Sequence, residues 1–206
     1  MDMNHWISLL EQELAAPLPG PQAQLIMSPS GRRPVPGDIP PKNSGVLILL
    51  YPYRELLHLV FIKRAEYIGI HSGQVSFPGG MVEAGDSSLQ FTALRETMEE
   101  TGMPVETARI IGQLSPLHIP VSNINVFPYV AVCRERPAFS PDAKEVQYLI
   151  ETSLDHLLDT VSHKVKIMNI ADSAVEVPYY DIGKDHIWGA TAMILSEFLE
   201  ISRKIW

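Results

Sequence analysis

Apolar residues change their spacing several times along the chain, and each change marks an element. In "MNHWISLLEQELAA", Trp6, Leu9, Leu10 and Leu14 recur at helical intervals, which predicts an amphipathic helix over residues 3–16, packed on the domain or on a partner. From Pro17 to Pro41 eight prolines interrupt any period, as in an extended connector. Residues 1–42 are therefore set apart from a domain over 43–206. The continuous run "VLILL" (46–50) and the segment "LLHLVFIKR" (56–64) predict two adjacent strands, at least one buried on both faces. Further strands are expected at "ARIIGQL" (108–114), "NVFPYVAVC" (125–133) and "EVQYLI" (145–150). "SLDHLLDTV" reads as a short helix, "KVKIMNI" and "VEVPYYDI" as a hairpin, and "IWGATAMILSEFLEIS" (187–202) as a closing amphipathic helix with Trp188 in the core. Strands dominate, with one helix in the middle and one at the end, so the fold class is α/β or α+β.

Composition narrows the function classes. The 206 residues are 46% hydrophobic and 19% charged, as in a globular protein of one sizeable domain. A net charge of −8 gives no footprint for nucleic acid or for an anionic membrane. No apolar stretch approaches the roughly 20 residues that span a bilayer. The first residues lack the basic start of a signal peptide, so a cytoplasmic location is expected. Cys133 is the sole cysteine, which excludes an intramolecular disulfide and a thiolate zinc cluster; in "FPYVAVC" it reads as a buried structural thiol. A phosphate-rich substrate would have to be met by local basic residues or by metal ions.

Candidate chemistry is concentrated in "FPGGMVEAGDSSLQFTALRETMEETG", residues 77–102. The helix within it should end near Gly102. Glu96, Glu99 and Glu100 stand at i, i+3 and i+4 on one face, with Phe91, Leu94 and Met98 opposite them to pack on a sheet. Like charges at this spacing, near the end where the helix dipole disfavours anions, destabilise the helix locally unless a cation compensates. Clustered carboxylate oxygens suit Mg2+ or Mn2+. Gly79 and Gly80 allow a close backbone turn, whose carbonyl can ligate a metal. Asp86 precedes the helix as an N-terminal cap or as a partner for Arg95. Three glutamates alone are more often a solvated face, and the glycines and loop acid upstream shift that balance.

The stretch resembles the Nudix box, G-x5-E-x7-R-E-U-x-E-E-x-G-U with U a bulky aliphatic. Gly80, Asp86, Arg95-Glu96, Glu99-Glu100 and Gly102-Met103 take its positions. Asp86 replaces the first glutamate, eight residues rather than seven separate it from Arg95, and Thr97 stands where an aliphatic is usual. The longer box is similar to that of the coenzyme A pyrophosphatase branch. The upstream "VFIKRAEYIGIHSGQVSFPGG" supplies Arg64, Ala65, Gly73 and Phe77 to Gly80 of that branch's pattern, while Gly69 replaces its second arginine. The resemblance implies a Nudix-like α/β/α sandwich with a mixed central sheet, a catalytic loop-helix and a C-terminal helix. It implies Mg2+ or Mn2+ held by Glu96, Glu99, Glu100 and the Gly80 carbonyl, with Arg95 orienting the acids. Glu99, Glu100 and Glu145 are the candidates for catalysis, and Arg64, Gly79, Ser122 and Asn123 for substrate binding. His71 and His118 are placed beside the site without a role. The implied partner is a small-molecule nucleoside diphosphate derivative, with coenzyme A or acyl-coenzyme A first. ADP-ribose, a dinucleoside polyphosphate or a damaged nucleoside triphosphate are the alternatives, and a non-catalytic nucleotide sensor is a further class. The sequence leaves oligomeric state open, a homodimer included.

Overall fold

The computed structural model describes residues 3–30, 39–170 and 173–206. Helix α1 (Met3–Ala15) and a short α2 (Pro21–Leu25) precede the paired strands β1 (Lys42–Tyr53) and β2 (Leu56–Arg64). Two small strands, β3 (Val75–Ser76) and β4 (Gly79–Met81), lead to helix α3 (Leu89–Thr101). Strands β5 (Ala108–Gln113), β6 (Leu117–Ile119), β7 (Ile124–Cys133) and β8 (Val146–Ser153) follow, then α4 (Leu154–Leu158). The hairpin β9 (His163–Ile170) and β10 (Ser173–Asp181), with β11 (His186–Trp188), ends in α5 (Gly189–Arg203).

The main sheet runs β3-β2-β1-β7-β5, with β4 on β1, β6 on β7 and β8 on β2. The pairing is mixed: β1 lies parallel to β7 and antiparallel to β2 and β4. Strand β1 is buried along most of its length, which is why "VLILL" carries no polar alternation. Odd residues of β2, Leu57, Leu59 and Phe61, face a core shared with Trp6, Leu10, Leu14, Tyr180 and the apolar side of α5. Val60 faces the other core, with Leu47, Leu49 and Tyr51 of β1 and Ala93 of α3. Helix α3 thus covers one face, and α1, α2 and α5 the other, giving an α/β/α sandwich with the three-stranded β11-β10-β9 sheet at its side.

Three expectations change. The stretch expected to be a wholly extended connector contains α2, whose Ala23 and Gln24 are buried together with Met27 beyond it, and Gln24 Nε2 donates to buried Glu197 at 2.8 Å. Residues 31–38 of that connector lie outside the described residues. Gly79 and Gly80 are not a free turn but strand β4, opposite Val46 and Gly45 of β1. Trp188 is half-buried rather than part of the core, because β11 takes the residues expected to open the last helix.

The face that α3 presents to the sheet also differs from the expected face of Phe91, Leu94 and Met98. Phe91 and Met98 are exposed, whereas Thr92, Ala93, Thr97, Glu100 and Thr101 are buried. The cause is close packing on β1. A Cβ on Gly45 would stand 2.5 Å from the Leu89 carbonyl oxygen and 3.0 Å from the Ala93 nitrogen. Side chains of Phe or Met size do not fit that gap, while threonine does once its hydroxyl is satisfied. Thr97 donates to the Ala93 carbonyl and Thr101 to the Thr97 carbonyl, each at 2.6 Å. Thr97 thereby fills an apolar position with the shape of valine.

Candidate active site

Helix α3 begins at Ser88, whose hydroxyl accepts from the Phe91 N–H at 3.1 Å, and ends at Gly102 in the left-handed region with φ 69°. The cap expected of Asp86 is therefore supplied by Ser88. The extra residue of the loop falls before Leu89, so Arg95, Glu96, Glu99 and Glu100 lie in one unbroken helix.

Asp86 instead grips Arg95. Its carboxylate takes Arg95 Nε at 2.9 Å and Nη2 at 3.0 Å, a two-pronged pair, and also accepts from the Thr92 hydroxyl at 2.8 Å and the Glu83 N–H at 3.0 Å. The Arg95 hydrogen bonds, then the Glu83 N–H, hold the Asp86 carboxyl well below the usual carboxylate range. Arg95 Nη2 further donates to the Met81 carbonyl at 3.2 Å, tying α3 to β4. Its Nη1 stands 3.0 Å from both Glu96 Oε1 and Glu99 Oε2. The arginine is fully engaged with protein acids.

Glu100 is buried under the Gly79-Gly80 strand. Its Oε2 accepts from the Gly79 N–H at 2.8 Å, and its Oε1 lies 3.4 Å from Arg64 Nη1. Burial pushes its pKa up to about 8, with the neighbouring charges of Glu96 and Glu145 adding to the rise and the Gly79 N–H and Arg64 opposing it. Glu96 is raised as well, first by burial, with Arg95 opposing and Glu99 and Glu145 adding. Its carboxylate rests against Gly80, where any Cβ would collide with it. Glu145, in the loop before β8, is exposed, and its carbonyl accepts from the Ala65 N–H at 2.8 Å, which keeps it beside Arg64.

Glu96, Glu100, Glu145, Arg64, Gly79 and Gly80 are thus brought together, from β2, β4, α3 and the β8 approach. Glu99 is 50% exposed at its side chain and is held toward solvent by Arg95. Among the described residues no three carboxylate or imidazole groups already converge as a chelate. Arg95 draws Glu96 and Glu99 aside, and Arg64 with Gly79 occupies Glu100. The donor set nonetheless fits a hard divalent cation: mutually repelling carboxylates, one of them buried and pushed toward the neutral form, sit against a glycine strand whose missing Cβ lets the Glu96 carboxylate close on the backbone of Gly80. Arg64 keeps capacity for an anion, since its side chain is 29% exposed and its Nη1 meets Glu100 only at 3.4 Å.

Ser122 and Asn123 lie in the turn between β6 and β7, and the Ser122 hydroxyl is buried without a hydrogen-bond partner among the described residues. Asn123 Nδ2 donates to the Ile39 carbonyl at 3.0 Å and its own carbonyl accepts from the Lys42 N–H at 3.1 Å, fastening the start of β1. His71 Nδ1 meets Gln74 Oε1 at 3.3 Å, and His118 Nδ1 meets Asn125 Oδ1 at 2.9 Å. Gly69 carries the ring of Tyr67 folded over it, so a larger side chain there would collide with that ring. Two contributors escaped the sequence reading. Thr92 and Gly45 carry no spacing signal, because one acts through a loop acid and the other through the approach of two distant elements.

Comparison with solved structures places the fold. The chain superposes on a MutT/Nudix family protein from Enterococcus faecalis with a TM-score of 0.55 at 20% identity, covering 80% of this chain and 63% of that one. It superposes on RenU, a Nudix hydrolase from M. smegmatis, with a TM-score of 0.52 at 16% identity, covering 80% and 88%. Sequence comparison goes further. The NUDIX domain family model matches residues 41–165. The chain is 35% identical over 166 residues to an Enterobacter protein described as uncharacterized Nudix hydrolase NudL, covering 79% of this chain and 84% of that one. It is 31% identical over 170 residues to the mouse mitochondrial coenzyme A diphosphatase NUDT8, covering 78% of each. The fold and the box together define a Nudix pyrophosphohydrolase. The chain belongs to the Nudix hydrolase family.

Proposed function

We propose that this enzyme hydrolyses the diphosphate of coenzyme A or of an acyl-coenzyme A, releasing adenosine 3′,5′-bisphosphate and (acyl-)phosphopantetheine. The observation that carries the substrate is the 31% identity to the coenzyme A diphosphatase NUDT8 over 78% of both chains, beside the branch-like segment from Arg64 to Gly80.

Glu96 and Glu100, with the Gly80 carbonyl, would hold Mg2+ or Mn2+, and Glu99 would join them by turning from Arg95. The bound ion would neutralise diphosphate charge and lower the pKa of an attacking water. Arg95 acts on the acids and not on substrate, since Asp86, Glu96, Glu99 and Met81 surround its guanidinium. Arg64 stands beside Glu100 with its side chain 29% exposed, and a planar guanidinium suits paired phosphate oxygens. Glu145 would take the proton of the incoming water, a role supported by its exposure and by its charge acting on Glu96 and Glu100. Gly69 supports the rival substrates, ADP-ribose, a dinucleoside polyphosphate or a damaged nucleoside triphosphate, because the branch's second arginine has no counterpart there.

The test is hydrolysis of a panel of nucleoside diphosphate derivatives with Mg2+ or Mn2+, products identified by mass. Coenzyme A cleaved well above the rest is expected. Preference for ADP-ribose would replace the substrate, and binding without any cleavage would overturn the enzymatic reading.

A further inference from the structure

A hollow of about 280 Å3 opens beside β2, bounded by residues 72–75, β9 and the turn between β10 and β11. It lies on the opposite face of the main sheet from the glutamates. Lys63 follows Leu59 and Phe61 on the α5 side of β2, while the next residue, Arg64, reaches Glu100 on the α3 side.

The charge in this hollow is opposite to that of the chain. Lys63, Lys166 and Lys184 line it with His186, against the single carboxylate of Asp185. Asp185 is buried and already committed: Lys63 Nζ lies 3.0 Å from its Oδ1, and the Tyr148 hydroxyl donates to it at 3.0 and 3.2 Å. The other two ammonium groups rest on neutral partners. Lys166 Nζ stands 3.0 Å from His186 Nδ1, and Lys184 Nζ lies 3.8 Å above the Tyr148 ring. The nearby Asp181 is taken by Lys164 at 2.6 Å. Burial first, and then the charge of Lys63, lowers the pKa of Lys166, as expected where cations gather without enough anions. In a chain of net charge −8, such a local excess marks a place where a negative group belongs.

We propose that this hollow is a second anion subsite, which binds a phosphate monoester through Lys63, Lys166, Lys184 and His186 without a metal ion. Compact, strongly hydrated ammonium groups from three separate strands and turns suit a tetrahedral dianion, which accepts from several directions. The phosphate belongs either to the substrate itself or to a separate molecule. The first case rests on the substrate proposed above, since coenzyme A carries a 3′-phosphate apart from its diphosphate. Lys63 and Arg64 are adjacent on β2, so a ligand rounding the end of that strand would meet both faces.

The test is calorimetric titration of the full chain with inorganic phosphate in the presence of EDTA. Saturable binding is expected, weakened about tenfold or more by the double variant Lys166→Gln, Lys184→Gln and retained in Lys166→Arg, Lys184→Arg. Melting curves check that both variants are folded. Absence of binding, or equal binding in the glutamine variant, overturns the subsite. Hydrolysis of coenzyme A and of 3′-dephospho-coenzyme A then identifies the source. A wild-type preference for coenzyme A, expressed in KM and lost in the glutamine variant, assigns the phosphate to the substrate. Equal cleavage of the two compounds by both proteins, with lysine-dependent phosphate binding, assigns it to a separate molecule. A preference undiminished by the glutamines refutes the substrate source. If no compound is cleaved, the proposed function fails while the phosphate titration still decides the subsite.

Discussion

Glu100 shows how one side chain can be costly to the fold and useful to the site. Its carboxylate is buried against the Gly79 N–H and raised to about 8, so in the metal-free protein the charged form is penalised. Glu100→Gln keeps the hydrogen bond and removes the charge. Metal-dependent turnover is expected to fall about a hundredfold or more, with the metal-free melting temperature at pH 8 no lower than that of wild type. Steady-state kinetics beside thermal melts would check both. Asp86 has the opposite sign. Arg95 depresses its pKa below the ordinary value of 3.8, so its stabilising effect is complete above that value and is lost as pH falls through the depressed one. The gap in melting temperature between wild type and Asp86→Asn should hold steady from pH 7 to 5 and close below about pH 4.

Among the elements, α3 is the one whose position the chemistry needs, and Gly45 sets that position. A methyl group there would press on the Leu89 carbonyl and the Ala93 nitrogen. Gly45→Ala should destabilise by about 1–3 kcal/mol, read as a lower urea midpoint, and should reduce turnover because Glu96 and Glu100 move with the helix. Thr97→Val is the contrasting substitution. Its hydroxyl bonds to a carbonyl of its own helix, so stability should change by less than about 1 kcal/mol. Periodicity misassigns the buried face of α3 because hydrophobicity does not decide burial there. Here clearance decides: a helix lying this close to β1 buries threonine and alanine and leaves Phe91 and Met98 outside.

At the scale of the whole molecule, the N-terminal helix belongs to the main core. Trp6, Leu10 and Leu14 are buried with the apolar side of α5, Trp6 meets Trp206 edge-on at 5.6 Å between ring centroids, and Lys204 reaches Glu13 at 3.3 Å. Trp6→Ala should cost about 3–5 kcal/mol in denaturant unfolding. The indole N–H has no hydrogen-bond partner among the described residues, so Trp6→Phe should lose markedly less than Trp6→Ala. The family model begins at residue 41, yet the core it describes is completed by residues before it.

The sequence by itself determined the strands of continuous apolar pattern, the closing helix, and the phase of Arg95, Glu96, Glu99 and Glu100, because each depends on spacing within a single element. It also placed Arg64 and Glu145 among the candidates through their positions in recognisable segments. The tertiary structure alone decided which acids share a side. Glu99 and Glu100 are neighbours in sequence, but Arg95 holds one outward while Gly79 and Arg64 hold the other inward. It tied Asn123 to Ile39 and Lys42, at the start of β1. It also gathered Lys63, Lys166 and Lys184, more than 100 residues apart at the extremes, around one hollow. The reason is physical: local spacing fixes the direction of a side chain within its own element, whereas charge balance and clearance depend on elements that meet only in the folded chain.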